Sequence, residues 1–171
     1  MKTFIVAALT ADGLIGKDSN HQANWTSKGD KGFFVELTKR AGVMIMGMNT
    51  WKTIDRAMEN RLKIVYTKEN LTSDQPDVRF TQKDPAELLK ELGNQGYEEI
   101  AIIGGQQIFT LFLEQNLVDT IYLTIEPVIF GSGMTLFNKP IFKELEFKSI
   151  KVKYLKKHNT NTVLLEYNIV K

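Results

Sequence analysis

The sequence predicts an α/β fold, built on a central, mostly parallel sheet of eight strands with about four helices on both faces and an antiparallel C-terminal hairpin. The first observation behind this prediction is that short apolar runs alternate with segments of helical spacing up to residue 126. The second is that the last two apolar segments, 147–154 and 162–169, follow each other with no helical segment between them. The length of 171 residues and the 43% hydrophobic content predict a single domain, residues 1–171.

Eight strands and four helices account for the chain in order. Strands are predicted at residues 4–9, 43–46, 62–67, 78–81, 100–103, 120–126, 147–154 and 162–169, where short apolar runs or apolar–polar alternation are typical of strands. The first helix begins after Ser27 and ends at Gly42. The others are predicted over 50–57, over 85–92 from an N-cap at Asp84, and after the glycine pair at 104–105.

A long polar segment, residues 10–27, separates the first strand from the first helix. It contains one small apolar pair, Leu14 and Ile15, among polar residues and glycines. Loops of this length inside a compact domain are uncommon and often functional. We therefore expect a cleft beside this segment.

Composition excludes several classes of protein. The net charge of +2 is too small to indicate nucleic acid or a membrane surface as a partner. The absence of cysteine and the presence of only two histidines, His21 and His158, argue against a metal site. The N-terminal apolar run is shorter than a signal peptide requires, so a cytoplasmic location is expected. We expect a monomer rather than a dimer.

The stretch 99–109 is the feature around which the rest is organised. An isoleucine-rich strand leads through Gly104 and Gly105 into a segment of helical spacing. Such a turn presents backbone N–H groups at a helix N-terminus, which favours phosphate. A tight turn without any ligand fits these residues equally well. Residues 47–50 repeat the pattern, and neither a Gly-x-Gly-x-x-Gly nor a Walker sequence is present.

Three polar residues have both a structural and a functional interpretation. Asp30 lies on the apolar stripe of the first helix, but Ser27 and Asp30 also have the spacing of a capping box, which the spacing alone favours. Arg61 is either a solvated loop cation or a two-pronged donor to a substrate carboxylate. Thr124 is either an ordinary strand residue or an inward hydroxyl with a polar partner.

A set of motifs, in order along the whole chain, resembles the dihydrofolate reductase family. The matching residues are Val6-Ala-Ala8, Leu14-Ile-Gly16, Trp25-x4-Asp30-x3-Phe34, Met46-Gly47-x-x-Thr50-Trp51-x-x-Ile54, Arg61, Ile103-Gly104-Gly105 and Tyr122-Leu-Thr124. The resemblance implies a dihydrofolate-reductase-like three-layer fold. It also reverses the preference for a structural role of Asp30 and Arg61.

The resemblance implies hydride transfer from NADPH to C6 of 7,8-dihydrofolate, with protonation at N5. The implied catalytic residues are Asp30, Trp25 and Thr124. The implied substrate-binding residues are Ala8, Asp30, Phe34, Ile54, Met58, Arg61 and Thr124. The implied cofactor-binding residues are Ala8, Ile15, Gly16, Gly47, Met48, Asn49, Thr50, Thr67, Lys68, Ile103, Gly104, Gly105, Gln106, Gln107, Ile108 and Phe109.

Two departures from the family pattern bear on specificity. Met48 and Gln107 stand where arginines that reach the cofactor's phosphates are common, which leaves Lys68 as the nearest replacement for a contact to the 2′-phosphate. The turn 130–133, followed by residues 135–137, is more similar to the related pyrimidine reductase of riboflavin biosynthesis. Reduction of a ribosylamino-uracil phosphate is therefore the alternative prediction.

Overall fold

The computed structural model describes residues 1–54, 58–138, 147–154 and 161–170. The described strands are β1 (Lys2–Thr10), β2 (Leu14–Gly16), β3 (Val43–Gly47), β4 (Leu62–Tyr66), β5 (Val78–Thr81), β6 (Glu99–Gly104), β7 (Thr120–Glu126), β8 (Met134–Thr135), β9 (Phe147–Tyr154) and β10 (Val163–Ile169). The described α-helices are α1 (Lys28–Ala41), α2 (Met48–Thr53), α3 (Pro85–Asn94) and α4 (Gln106–Glu114). The predicted α/β class and mostly parallel eight-stranded sheet are confirmed.

The central sheet has the strand order β5-β4-β3-β6-β1-β7-β10-β9. Every pair from β5 to β7 is parallel, and β10 runs antiparallel to both of its neighbours, β7 and β9. The carboxyl ends of β1, β3, β4, β6 and β7 therefore lie along one edge of the sheet. Ligands of open α/β sheets bind outside this edge, which makes it the place to look for a site.

The core has two halves because side chains of the central strands alternate between the two faces of the sheet. On β3, Val43 and Ile45 pack with the apolar residues of α3 and α4. Met44 and Met46 pack on the opposite face with Leu37 of α1. The helices thus cover both faces, as the sequence predicts.

Local capping signals place both ends of α1 and the start of α3 where they are predicted, whereas α3 continues to Asn94, two residues beyond the predicted end. The Ser27 side chain accepts a hydrogen bond from the Asp30 N–H at 3.0 Å, and Gly42 ends α1 in the left-handed region at φ 70°. The Asp84 carboxylate caps α3 through the N–H groups of Ala86 and Glu87. These two helices therefore have side-chain caps at their N-termini.

The bounds of the second helix differ from those predicted. Helix α2 begins at Met48 and not at residue 50, and it ends at Thr53; the predicted end at residue 57 lies outside the described residues. The Thr50 carbonyl oxygen accepts from both the Thr53 hydroxyl at 2.9 Å and the Ile54 N–H at 3.1 Å, and the helix ends because Ile54 leaves the helical region at φ −86° and ψ 86°.

The segment 10–27 is more ordered than predicted. It contains β2 and a short 3₁₀-helix, Ala23–Trp25. Strand β2 pairs antiparallel with β8, which follows the 130–133 turn more than a hundred residues later. A partner so far along the chain leaves no local signal at residues 14–16.

Within the described ranges, none of the α-helices has both the length and the apolar character needed to cross a bilayer.

Candidate active site

A cleft of about 1210 Å³ lies outside the carboxyl ends of the parallel strands. Sites for a single drug-sized ligand usually occupy about 300–1,000 Å³, so this cleft has room for two ligands side by side. Predicted site residues that line it are Ala8, Ile15, Gly16, Trp25, Asp30, Phe34, Gly47, Met48, Asn49, Thr50, Ile54, Met58, Arg61, Thr67, Lys68, Ile103, Gly105, Gln106, Gln107, Ile108 and Phe109. Two others, Gly104 and Thr124, are buried behind the wall.

Asp30 is a buried carboxylate at the floor of the cleft. Only 8% of the residue is exposed, and its Oδ1 accepts a hydrogen bond from the Thr124 hydroxyl at 2.5 Å. Thr124 is 1% exposed and comes from β7, whose register sets it opposite Ala8 of β1. The inward-hydroxyl interpretation of Thr124 is therefore correct, and its partner is Asp30.

Burial raises the pKa of Asp30 above its ordinary value, because water no longer solvates the charged form. The hydrogen bond from Thr124 opposes this rise. The Thr26 hydroxyl, which also reaches the Ala23 carbonyl oxygen at 3.2 Å, acts in the same direction as Thr124. Among nearby charges, Glu126 raises this pKa and Lys31 lowers it. Asp30 is thus a buried carboxyl group whose raised pKa is partly offset by two neighbouring hydroxyls.

The capping-box interpretation of Asp30 is half correct. Its backbone N–H does donate to Ser27, as in a capping box. The reciprocal contact is different, since the Ser27 N–H donates to Glu126 Oε1 at 3.1 Å and not to Asp30. The Asp30 side chain is therefore available to the cleft.

Arg61 borders the cleft as a buried cation. It is 6% exposed, which rules out a solvated loop cation. Its Nη1 donates to the Thr38 hydroxyl at 2.9 Å, and its Nε donates to the Glu59 carbonyl oxygen at 3.4 Å. None of the ion pairs formed within the described ranges includes it, and burial lowers its pKa. A buried guanidinium with only neutral partners favours an anion from the cleft.

Two further cations line the same wall and were missed in the sequence. Lys31 and Lys39 line the cleft together with Val35, so the three residues share one face of α1. Their spacing of four residues is the signal that could have identified them. Together with Arg61 they make this wall basic.

The two glycine turns meet across the cleft. A Cβ on Gly47 would lie 3.2 Å from Ile108, and a Cβ on Gly105 would lie 3.3 Å from the Thr50 hydroxyl oxygen. Neither α2 nor α4 has a side-chain hydrogen bond at its N-cap, in contrast to α1 and α3. The first N–H groups of both helices are therefore available to phosphate oxygens.

The adjacent glycines of the second turn have different structural roles. Gly104 adopts φ +109°, and a Cβ there would lie 2.8 Å from the Phe109 ring beneath it. Packing against Phe109 is therefore sufficient to require glycine at position 104, whether or not Gly104 contacts a ligand.

Gln106 connects α4 to the segment after β8. Its Nε2 donates to the Thr135 hydroxyl oxygen and to the Phe137 carbonyl oxygen.

We expect alanine at these two glycines to have different effects. Gly104→Ala should lower the free energy of unfolding by about 2–4 kcal/mol, because it combines an unfavourable φ with a ring clash. Gly105→Ala should leave the melting temperature nearly unchanged and weaken the binding of a phosphate-bearing ligand in the cleft. Thermal melts and ligand titrations measure the two effects. The assignment is wrong if both variants lose stability equally.

The end of the cleft beyond β4 is chemically mixed. It is lined by Thr67, Lys68 and Glu69, and Met48, which also lines the cleft, packs like Trp51 against the apolar core cluster. Lys68 is exposed and is the cation that this end offers from the β4 segment. A phosphate at this end would therefore meet one lysine and one hydroxyl, with a carboxylate beside them.

The segment before α1 covers the other end of the cleft and is held by the 130–133 turn. Trp25 and His21 both make edge contacts with Phe130, at ring-centroid distances of 5.1 and 5.3 Å. The Asp12 carboxylate accepts hydrogen bonds from the Phe130 and Gly131 N–H groups. The buried Trp25 Nε1 has no hydrogen-bond partner among the described residues, so it is available to a ligand or a water in the cleft.

The arrangement separates two chemical environments within one cleft. One half has a buried carboxylate, apolar side chains from α1 and a basic wall. The other half has the two glycine turns with their uncapped helix N-termini. Such a cleft can hold a flat, nitrogen-rich ring with an anionic tail beside a phosphate-bearing cofactor.

The chain is similar in sequence to proteins of one known family. The family model for dihydrofolate reductase matches residues 2–171. The dihydrofolate reductase of Bacillus subtilis (strain 168) is 33% identical over 122 residues, 70% of this chain and 66% of that protein.

Two solved structures are similar in fold. A protein assigned to riboflavin biosynthesis in Shewanella sp. PV-4 has a TM-score of 0.79 at 22% identity, with both chains covered completely. RibD of Acinetobacter baumannii has a TM-score of 0.84 at 16% identity, covering 99% of this chain and 58% of that chain. At these identities the two structures support the fold alone, whereas the match along almost the whole sequence shows that the chain belongs to the dihydrofolate reductase family.

Proposed function

We propose that this protein reduces 7,8-dihydrofolate to 5,6,7,8-tetrahydrofolate with NADPH. The observation that carries the proposal is that a buried carboxylate, Asp30, and a buried cation, Arg61, both line one cleft without contacting each other as an ion pair. A dihydropterin has an amino group and ring N–H that suit the carboxylate, and its glutamate tail has carboxylates that suit the guanidinium. The apolar residues Phe34, Ile54 and Met58 line the space between them.

The dinucleotide is proposed to occupy the half of the cleft between the two glycine turns. Its pyrophosphate oxygens would accept hydrogen bonds from the first N–H groups of α2 and α4. Thr67 and Lys68 would bind the 2′-phosphate. Ala8, Ile15 and Gly16 would border the nicotinamide, which supplies the hydride. Holding the two ring systems in contact is the main contribution of these walls to the rate.

The proton at N5 is the second half of the reaction. The Asp30 carboxylate, fixed by Thr124, would hold the pterin amino group and favour positive charge on the ring through its own negative charge. Trp25 and the segment around it would exclude bulk solvent, and the indole Nε1, which has no partner among the described residues, would orient one water through which the N5 proton arrives from solvent. In this scheme hydride addition at C6 and proton addition at N5 yield tetrahydrofolate and oxidised cofactor.

A pyrimidine reductase of the riboflavin type is the second candidate. The similarity of fold to the Shewanella and Acinetobacter proteins favours it. The turn 130–133, which contacts the segment before α1 at one end of the cleft, favours it as well. The basic wall formed by Lys31, Lys39 and Arg61 suits the phosphate of a ribosylamino-uracil as well as a glutamate tail. The carboxylate at Asp30 suits the ring nitrogens of either substrate.

A thermal-shift screen followed by a turnover assay tests the proposal. NADPH and an antifolate should each raise the melting temperature, by an amount that grows with ligand concentration. When the protein is mixed with NADPH and dihydrofolate, the absorbance of the reduced nicotinamide should then decrease with time. NADH should support a lower rate. Stabilisation by NADPH without antifolate binding or dihydrofolate turnover would favour the pyrimidine reductase instead.

A further inference from the structure

A second buried carboxylate, Glu126, lies beside Asp30 and has no part in the proposed reaction. It is 2% exposed and is the last residue of β7. Residues two apart on a strand face the same side of a sheet, so Glu126 shares the side of Thr124, which holds Asp30. A carboxylate buried to this extent is costly unless several donors compensate it.

Glu126 is compensated by the N-cap residue of α1 and by the residue that precedes β10. Its Oε1 accepts from the Ser27 N–H at 3.1 Å, and its Oε2 accepts from the Thr162 hydroxyl at 3.0 Å. The Thr162 and Ser27 hydroxyl oxygens are themselves 2.8 Å apart. Glu126 therefore joins three elements of the fold at the point where α1 begins.

One arrangement of protons satisfies every group in this network. The Asp30 N–H donates to the Ser27 hydroxyl oxygen, whose proton goes to Thr162, and the Thr162 proton goes to Glu126. Each hydroxyl then donates once and accepts once. The chain of bonds ends on the Glu126 side chain, whose oxygens accept.

The contact with Ser27 explains why Asp30 faces the cleft. In a capping box the third residue of the helix returns its own side chain to the N–H of the cap residue. Asp30 has that position and that chemistry, yet the N–H is already bound by Glu126. With this donor occupied, the Asp30 side chain has Thr124 as its partner.

We propose that Glu126 is the positioning residue of Asp30: by binding the Ser27 N–H, it prevents Asp30 from serving as its own helix cap and keeps the carboxylate in the cleft. The inference rests on the proposed function for its kinetic consequences only. The orientation of Asp30 is a property of the ligand-free protein and is tested separately.

Glu126 also acts on Asp30 through its charge. The groups that face Asp30 are Thr124 and Glu126 from β7, Lys31 from α1, and Thr26 from the segment before it. Of the two charges, Glu126 raises the pKa of Asp30 and Lys31 lowers it, with burial as the largest cause of the net rise. Loss of the charge at 126 should therefore make the Asp30 carboxyl release its proton at a lower pH.

Two substitutions separate the contact from the charge. Glu126→Leu removes the acceptor of the Ser27 N–H, so Asp30 should turn to that N–H and lose Thr124. Glu126→Gln keeps a carbonyl oxygen for the Ser27 N–H and removes only the charge. Thr162→Val is the matched control, because it breaks the bond to Oε2 and leaves the cap contact in place.

A crystal structure of ligand-free Glu126→Leu decides the orientation. An Asp30 oxygen within hydrogen-bonding distance of the Ser27 N–H is the expected result; retention of the Asp30–Thr124 contact would overturn the proposal. If that variant does not fold, Glu126→Ala, which removes the same acceptor, is crystallised in its place, with the same two outcomes. Melting temperatures of ligand-free wild type, Glu126→Gln, Asp30→Asn and the double variant across pH test the effect of the charge: the 30–126 coupling should be repulsive at neutral pH and vanish in acid, and additivity at every pH would reject the electrostatic part of the proposal.

The kinetic arm uses dihydrofolate and NADPH. Glu126→Leu should lower kcat/KM about 10- to 100-fold, as expected when a reacting group moves by about an ångström. Glu126→Gln should move the pH profile of the rate to lower pH. Thr162→Val should change neither kcat/KM nor the pH profile appreciably. An unchanged pH profile in Glu126→Gln, with wild-type activity present, would reject the electrostatic part. Absence of wild-type turnover would instead reject the proposed function and leave the structural result standing.

Discussion

Asp30→Asn is expected to lower the rate of dihydrofolate reduction at neutral pH by about 10²- to 10³-fold, within the range for loss of a group that assists proton transfer. The amide can still accept from Thr124, so the geometry of the site is kept. What is lost is the negative charge that favours a protonated pterin. Initial rates at saturating NADPH measure the effect.

The loss should depend on pH. In acid the substrate arrives already protonated, so Asp30→Asn should differ less from wild type at low pH than at neutral pH. Wild type compared at the same pH and ionic strength is the control. Equal losses across the whole range would contradict an electrostatic role for Asp30.

The same substitution should stabilise the ligand-free protein at neutral pH. Because burial raises the pKa of Asp30, the folded state holds this proton more tightly than the unfolded state does. Its contribution to stability is therefore complete below the ordinary value of 3.8 and is lost as the pH rises through the raised value. Asp30→Asn should melt at a higher temperature than wild type at neutral pH, and the difference should disappear in acid.

Arg61→Met is expected to raise the Michaelis constant for dihydrofolate about 10- to 100-fold, because charged hydrogen bonds contribute roughly 1.5–3 kcal/mol and each 1.4 kcal/mol is about tenfold. The value of kcat should change little, since the tail is remote from the reacting atoms. Methionine keeps the apolar stem of a residue that is 6% exposed, so the wall of the cleft stays filled. Steady-state kinetics with varied dihydrofolate measure the change.

A substrate without the tail provides the matched control. A dihydropterin that lacks the aminobenzoyl-glutamate should be reduced equally well by wild type and Arg61→Met. The Michaelis constant for NADPH should also be the same in both proteins. A similar loss with the tail-less substrate would show that Arg61 acts on the fold and not on a carboxylate.

The architecture was predictable because its signals are local. Short runs of apolar residues define the strands of the sheet, and Ser27, Gly42 and Asp84 mark helix ends by capping chemistry that acts within a few residues. Strands β2 and β8 were missed because each pairs with the other across a long sequence separation. Helix α2 begins at Met48, two residues before the predicted start, and ends at Thr53, where Ile54 leaves the helical region.

The candidate site divides in the same way. Most of its predicted lining was found from motifs that follow strands, because parallel strands end at one edge of a sheet. Lys31 and Lys39 could have been identified from their helical spacing, which places them on one face of α1. Glu126 had its own signal, a charged residue two positions after Thr124 in a buried strand.

By itself, the sequence determined the order of strands and helices, the family resemblance, and the residues that gather at one edge of the sheet. For Asp30 the spacing favoured a helix cap and the family resemblance favoured the cleft, and the tertiary structure decided which contact its side chain makes. Ser27 and Asp30 alone have the spacing of a capping box, and nothing within the helix prevents one from forming. The deciding group is Glu126, almost a hundred residues later, which binds the Ser27 N–H and leaves the Asp30 carboxylate to Thr124 and the cleft.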